Sequence, residues 1–176
     1  MRQFTIQDYL KKKILIKSPD IVKLSKKYLQ KAKFNLITAN ILKDINNNPE
    51  IRKLLKVPDE YSSDEWVVVS SYYAMYASTL ALLAKIGYKS SAHAATILAL
   101  EHFFVKKEII NEEFLEMIQH ARNYIDQHDV KELAEGKTNR EIAQYSVTKA
   151  TTHAIAETSM KNAYDFVNKA RSIIEG

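Results

Sequence analysis

The sequence predicts an all-α protein: an antiparallel bundle of about five main helices, preceded by a short N-terminal helix. Three observations predict it. Only three glycines and three prolines interrupt 176 residues that are 46% apolar, which favours long helices over a turn-rich sheet. Apolar residues recur at steps of three and four along most of the chain. One stretch, Trp66–Ala84, runs nineteen residues without a charge, as the central helix of a bundle does. The length suits a single domain over 1–176, with 1–17 as a helical extension at its start. No internal repeat or linker divides it.

Thr5–Ile16 reads as a short amphipathic helix, with Thr5 and Asp8 as a capping pair. Ser18-Pro19-Asp20 supplies a cap residue, a first-turn proline and an early acid for a longer helix. Ile21, Leu24, Tyr28, Ala32, Leu36, Ala39 and Leu42 mark its inner face, and Asn46-Asn47-Asn48-Pro49 ends it. Glu50–Ser63 is a connection with one helical turn around Ile51–Leu55. Ser62 and Glu65 form a capping box for the uncharged helix, which Gly87 terminates in a left-handed turn.

Ser90 or Ser91 then caps a helix reaching about Val105, with His93, Ala94, Ile97, Leu100, Glu101 and Phe104 along its turns. Asn111 caps the next, whose first turn carries Glu112 and Glu113. Lys131–Lys137, charged and containing Gly136, reads as a loop. Thr138 and Glu141 box the last helix, Asn139 to about Ile174, with Ile142, Tyr145, Thr148, Ala156, Met160, Ala163, Phe166, Val167 and Ile173 on its buried face.

The uncharged stretch is near the lower length of a membrane span. It carries Ser70, Ser71, Ser78, Thr79 and three tyrosines, and no second such segment exists, so a bundle core is expected rather than a membrane. The absence of cysteine excludes disulfides and thiolate metal sites. The early lysines follow the apolar residues instead of preceding them, unlike a secretory signal, so a cytoplasmic location is expected. The net charge of +5 is uneven: residues 1–60 hold 14 Lys and Arg against 6 Asp and Glu. A basic first third suits an acidic partner such as nucleic acid, and equally suits a solvated lysine-rich face.

Gln119–Val130, QHARNYIDQHDV, concentrates the groups able to handle protons and phosphate. Arg122 can fork onto phosphate oxygens, and His128 titrates near neutral pH. Asn123 adjoins them, with Asp126, Tyr124 and His120 as supporting candidates. Residues six apart on a straight helix are separated by about 9 Å and about 120°. Either the helix ends or bends between Arg122 and His128, or a second copy of the chain completes the site. The competing reading makes both exposed residues near a helix C-terminus, where cations are favoured.

Elsewhere His93 reads as a packing or capping residue, His102 as a core or groove residue, and His153 as isolated. Tyr72, Tyr73 and Tyr76 read as core and interface residues. No His pair has metal-ligand spacing, and three glycines cannot build a phosphate loop, so neither metal nor cofactor is expected.

Three blocks make the chain resemble the HEPN superfamily, and within it a group of small archaeal and bacterial proteins. WVVVSSYYAMYASTLALLAKIGY (66–88) looks like that group's tyrosine-rich central helix with its Gly-aromatic turn. SAHAATILALEHFFVKKEII (91–110) is similar to its helix beginning Ser-x-His. Ala121–His128 fits the superfamily's Arg, polar residue and later His. With the Ser18-Pro19-Asp20 start, the likeness covers nearly the whole chain.

The resemblance implies a homodimeric bundle with facing Arg–His motifs acting as a metal-independent endoribonuclease. Its roles carry to Arg122, Asn123 and His128. Relatives in this group often end the motif with Ala-Asp-Tyr and lack the His. Here Asp126 and Gln127 stand at that Asp and Tyr, and His128 follows, so it is either the catalytic residue or a neighbour that satisfies the pattern. Other superfamily members bind nucleotides, or pair with a small nucleotidyltransferase as toxin with antitoxin.

The mechanism expected is cleavage through the ribose 2′-hydroxyl, with His128 moving the proton, Arg122 balancing charge on the phosphate and Asn123 orienting the phosphate or the imidazole. Tyr124 would stack on a base or pack, and Asp126 would hold the His128 tautomer. The alternatives are a non-catalytic module binding a nucleotide or a nucleotidyltransferase, and a purely structural dimer.

Overall fold

A computed structural model describes residues 4–135 and 145–176, with side chains over 4–126 and 152–176. The chain is all-α apart from one short ribbon. In order it forms α1 (Ile6–Lys11), β1 (Leu15–Lys17), a 3₁₀ turn at Pro19–Leu24, α2 (Ser25–Asn47), α3 (Pro49–Leu54) and α4 (Asp64–Lys85). There follow β2 (Tyr88–Ser90), α5 (His93–Leu100), a π-helical turn at Glu101–Val105, α6 (Glu112–Glu135) and α7 (Tyr145–Glu175).

The uncharged stretch becomes the hub. α4 packs along α2 and α7 and is crossed by α6. Val67, Val68, Ala74, Met75, Ala81, Leu82, Leu83 and Ala84 are almost fully buried, and their mixture of small and large side chains lets the neighbours close in. Among the described residues α4 is the one helix long and apolar enough to cross a membrane, and most of its apolar window is buried. α2 runs antiparallel to it: Ser25 at the start of α2 donates to the Ala81 carbonyl (2.8 Å), while Asn46 at its end meets Asp64 (2.8 Å). α7 runs parallel to α4, with His153 near Asp64 and the Lys85 ammonium on the Ile174 carbonyl (3.0 Å). Two reversals, through α6, separate the pair, so only neighbours in sequence alternate.

Several terminators follow the sequence. Thr5 and Asp8 close a reciprocal capping box on α1. Asn48 caps α3 by accepting from Glu50 and Ile51. Gly87 takes φ +81° after α4, and a Cβ there would lie 3.2 Å from the Ser18 carbonyl oxygen.

Other elements differ. The first helix stops at Lys11, and Lys13 takes a left-handed φ of 57° in a Schellman turn, with Ile14 N–H on the Tyr9 carbonyl. Leu15–Lys17 then pairs antiparallel with Tyr88–Ser90, so the described part of the 1–17 extension holds a strand as well as a helix. Ser18 makes no side-chain cap, and the helix it precedes opens as 3₁₀. The Ser62–Glu65 box does not form. Ser62 accepts from the Asp64 N–H and donates to its carboxylate instead, because Asp64, not Glu65, points inward. Ser90 and Ser91 do not cap α5, which follows Ala92, since Ser90 ends β2.

The buried face of α5 falls on Ala95, Thr96, Ala99 and Leu100, with Ala94 exposed. The π turn's additional residue restores Phe104 to the core. Helix continues through Lys131–Glu135, where a loop was expected. The charges of Lys131, Glu132 and Glu135 do not break it. The Thr138–Glu141 box, the start of the last helix, Gly136 and the Ile142, Tyr145 and Thr148 side chains lie outside the described residues. Farther along α7, Ala156, Met160, Ala163, Phe166 and Val167 are buried as expected.

Candidate functional site

α6 runs unbroken from Glu112 to Glu135, so Arg122 and His128 lie on one continuous helix. The helix does not end between them, and Arg122 sits mid-helix rather than near a C-terminus. Six helical residues put the two backbone positions about 120° apart around the axis. The His128 side chain lies outside the described residues.

The same geometry divides the other candidates. Arg122 and Asp126, four apart, share a face and pair at 3.0 Å (Nε to Oδ2), the carboxylate being the more exposed partner. Asp126 therefore orients Arg122. Asn123, His120 and Tyr124 turn toward α7 and line a groove of about 750 Å³ with Glu113, Glu116 and Asn162. Tyr124 hydrogen-bonds Thr152 on α7; burial pushes its phenol above the ordinary value, and that bond opposes the shift. The sequence candidates thus occupy two faces of α6.

Arg122 instead meets groups from two other helices. Tyr72, Tyr73 and Tyr76 project from successive turns of α4, and His93 is the first residue of α5. The Tyr72 hydroxyl and His93 Nδ1 form a hydrogen bond, and the two ring planes lie within 14° of parallel. Tyr76 stacks flat on the imidazole at 4.2 Å and 7°. Tyr73 stands edge-on to it at 6.3 Å and is exposed. Thr96, one turn into α5, anchors this wall through Tyr76 (3.3 Å) and Ser90 (2.8 Å).

The electrostatics follow from that packing. Tyr72 is only 3% exposed, and burial raises its phenol to about 12, the neighbouring Arg122 charge and hydrogen bond partly offsetting this. Burial also lowers His93 below the ordinary imidazole value; the Arg122 charge adds to the lowering and Asp126 opposes it. At neutral pH the site therefore holds a neutral phenol, a neutral imidazole and a permanent cation.

His93 and the tyrosines, read from the sequence as packing, are thus the groups that surround Arg122. Tyr72 and Tyr76 do share one helix face by spacing, and His93 follows the Gly87 turn closely. No local pattern joins either to Arg122, since the three come together only through helix packing.

A second polar node lies about 12 Å away along α4. The buried Asp64 carboxylate accepts from Asn46 (2.8 Å), Ser62 (2.9 Å) and His153 Nδ1 (3.1 Å). His153, isolated in sequence, is thereby an interhelical partner. Among the described residues no three His, Asp or Glu side chains gather as a metal-binding set. Compared with known proteins, the chain matches no family model, no curated protein and no solved structure.

Proposed function

We propose that this protein is a metal-independent endoribonuclease of HEPN type, acting as a cytoplasmic homodimer and cutting RNA through the ribose 2′-hydroxyl. One observation carries the reading. Arg122 is a partly exposed cation paired with Asp126 on its own helix and close to the Tyr72 phenol of the hub helix, beside a neutral imidazole. A guanidinium fixed in this way can receive a phosphodiester and balance the charge that builds on its oxygens.

His128, in this reading, takes the 2′-hydroxyl proton across the dimer cleft from the partner's helix, since six helical residues set its position about 120° around the axis from Arg122. Asn123 faces the α6–α7 groove and orients RNA there rather than at the phosphate. The exposed Trp66 and Tyr73, seven residues apart on one side of an otherwise buried helix, give the dimer its apolar seam.

The test is cleavage of single-stranded RNA by the full chain with EDTA present. Wild type should yield 2′,3′-cyclic phosphate ends, and Arg122→Ala and His128→Ala should each lose about 10²–10³ in rate with helicity intact. Equal cleavage by all three, or a requirement for metal, would remove the reading.

The α6–α7 groove favours a second reading. Its volume lies within the size range of small-ligand sites, and its lining mixes Asn123 and Asn162 amides with Tyr124 and His120. A non-catalytic module would bind a nucleotide there, or dock a nucleotidyltransferase antitoxin. It would tolerate His128→Ala and lose binding on Asn123→Ala.

A further inference from the structure

The aromatic wall around His93 is more constrained than packing requires. Three tyrosines fix one imidazole: Tyr72 by a hydrogen bond at Nδ1, Tyr76 by face stacking, and Tyr73 edge-on. Such a cage specifies which ring nitrogen points where. The proton arrangement can be assigned from the network. Arg122 can only donate, and its charge beside the Tyr72 oxygen favours that oxygen as an acceptor on the Arg122 side. The Tyr72 proton is then directed to Nδ1, and a neutral ring that accepts at Nδ1 carries its own hydrogen on Nε2. Among the described residues, no group bonds that nitrogen. The chain therefore runs Arg122 to Tyr72 to His93 and ends on an unused N–H, next to a cation.

We propose that His93 and Arg122 form a two-point phosphate clamp, in which His93 Nε2–H donates to a non-bridging oxygen of the phosphate that Arg122 neutralises. The clamp rests on the ribonuclease reading for the identity of its anion, an RNA phosphodiester. No proton is transferred through His93; it is a binding residue that contributes direction, while Arg122 contributes charge. Two features support the assignment. Burial and the Arg122 charge keep the imidazole neutral, so Nδ1 stays an acceptor. The Tyr72 phenol, which ionises far above neutral pH, remains a donor.

The experiment measures binding without cleavage. The probe is a short single-stranded 2′-O-methyl oligonucleotide, which lacks the attacking hydroxyl, followed by fluorescence anisotropy over a range of salt. His93→Phe keeps the stack on Tyr76 and removes the donor; it should weaken binding about tenfold, the worth of one hydrogen bond to a charged group. His93→Gln, whose carboxamide restores an N–H, should fall between Phe and wild type. Arg122→Ala should weaken binding and also reduce the log–log salt slope by about 0.7, one released counterion on a single strand. His93→Phe should leave that slope unchanged, because it removes no charge.

Wild-type affinity in both His93 variants would overturn the clamp, as would no binding of the probe by wild type. So would equal losses in His93→Phe and His93→Gln, which would make His93 a structural residue. Probe binding through His93 without cleavage of ordinary RNA would keep the clamp and remove the nuclease. Cleavage by wild type with full binding by His93→Phe would do the reverse.

Discussion

Replacing Asp64 with alanine tests whether the buried carboxylate at the start of α4 holds three helices together. It is almost inaccessible and accepts from Asn46 on α2, from Ser62 before α4, and from His153 on α7. A hydrogen bond to a charged group contributes roughly 1.5–3 kcal/mol, but the three are not additive. Asn46 keeps its other role, accepting from the Ser63 N–H at 2.9 Å, so only its amide nitrogen loses a partner. Ser62 can turn to water. His153 is 44% exposed, so its share is reduced by solvent screening. A carboxylate in the first turn also interacts favourably with the helix dipole, by about 0.3–1 kcal/mol.

The expected destabilisation is about 2–3 kcal/mol for Asp64→Ala, and about half that for Asp64→Asn, which retains one acceptor oxygen. Urea unfolding followed by circular dichroism reads it as a lower midpoint at unchanged slope. A double-mutant cycle with Asn46→Ala should return a coupling above about 0.5 kcal/mol. Asp64→Ala within about 0.5 kcal/mol of wild type, or a coupling near zero, would refute the reasoning.

Two further outcomes follow from the same geometry. Because Tyr72 ionises near 12 in the folded protein and near 10.0 when unfolded, its contribution to stability is full below pH 10 and is lost as pH rises toward 12, by about 2–3 kcal/mol in all. Tyr72→Phe should flatten that part of the stability–pH curve, and an unchanged alkaline slope would count against a buried phenol. Trp66→Ser combined with Tyr73→Ser should convert a dimer to a monomer in sedimentation while helicity holds; a dimer that survives both places its seam elsewhere.

The helices were legible because their causes are local. Nineteen uncharged residues, the apolar period of α2 and α7, the Thr5–Asp8 box and the Gly87 stop each act within a few turns. The ribbon was not legible: three residues, Leu15–Lys17, are too few for a period, and their partner lies far along the chain. The site was half legible. Arg122 and Asp126 are neighbours on one helix face, so spacing reveals them. Asn123 and His120 belong to the next face, so nearness in sequence to Arg122 does not set them on its side of the helix. Tyr72 and His93 reach Arg122 only because α4, α5 and α6 converge, which no window of sequence contains.

The β1–β2 ribbon sets the order in which that convergence can be built. It pairs Leu15 with Ser90, and Ser91 adds two bonds to the Ile14 carbonyl (3.0 and 3.2 Å) just ahead of His93. Closing a flexible loop of about 70 residues costs on the order of 4 kcal/mol in chain entropy, more than so short a ribbon returns. The α2–α4 pair must bring the loop's ends together first. His93 therefore receives its fixed position from Ile14 and the Leu15–Lys17 strand, and only after the hub has formed.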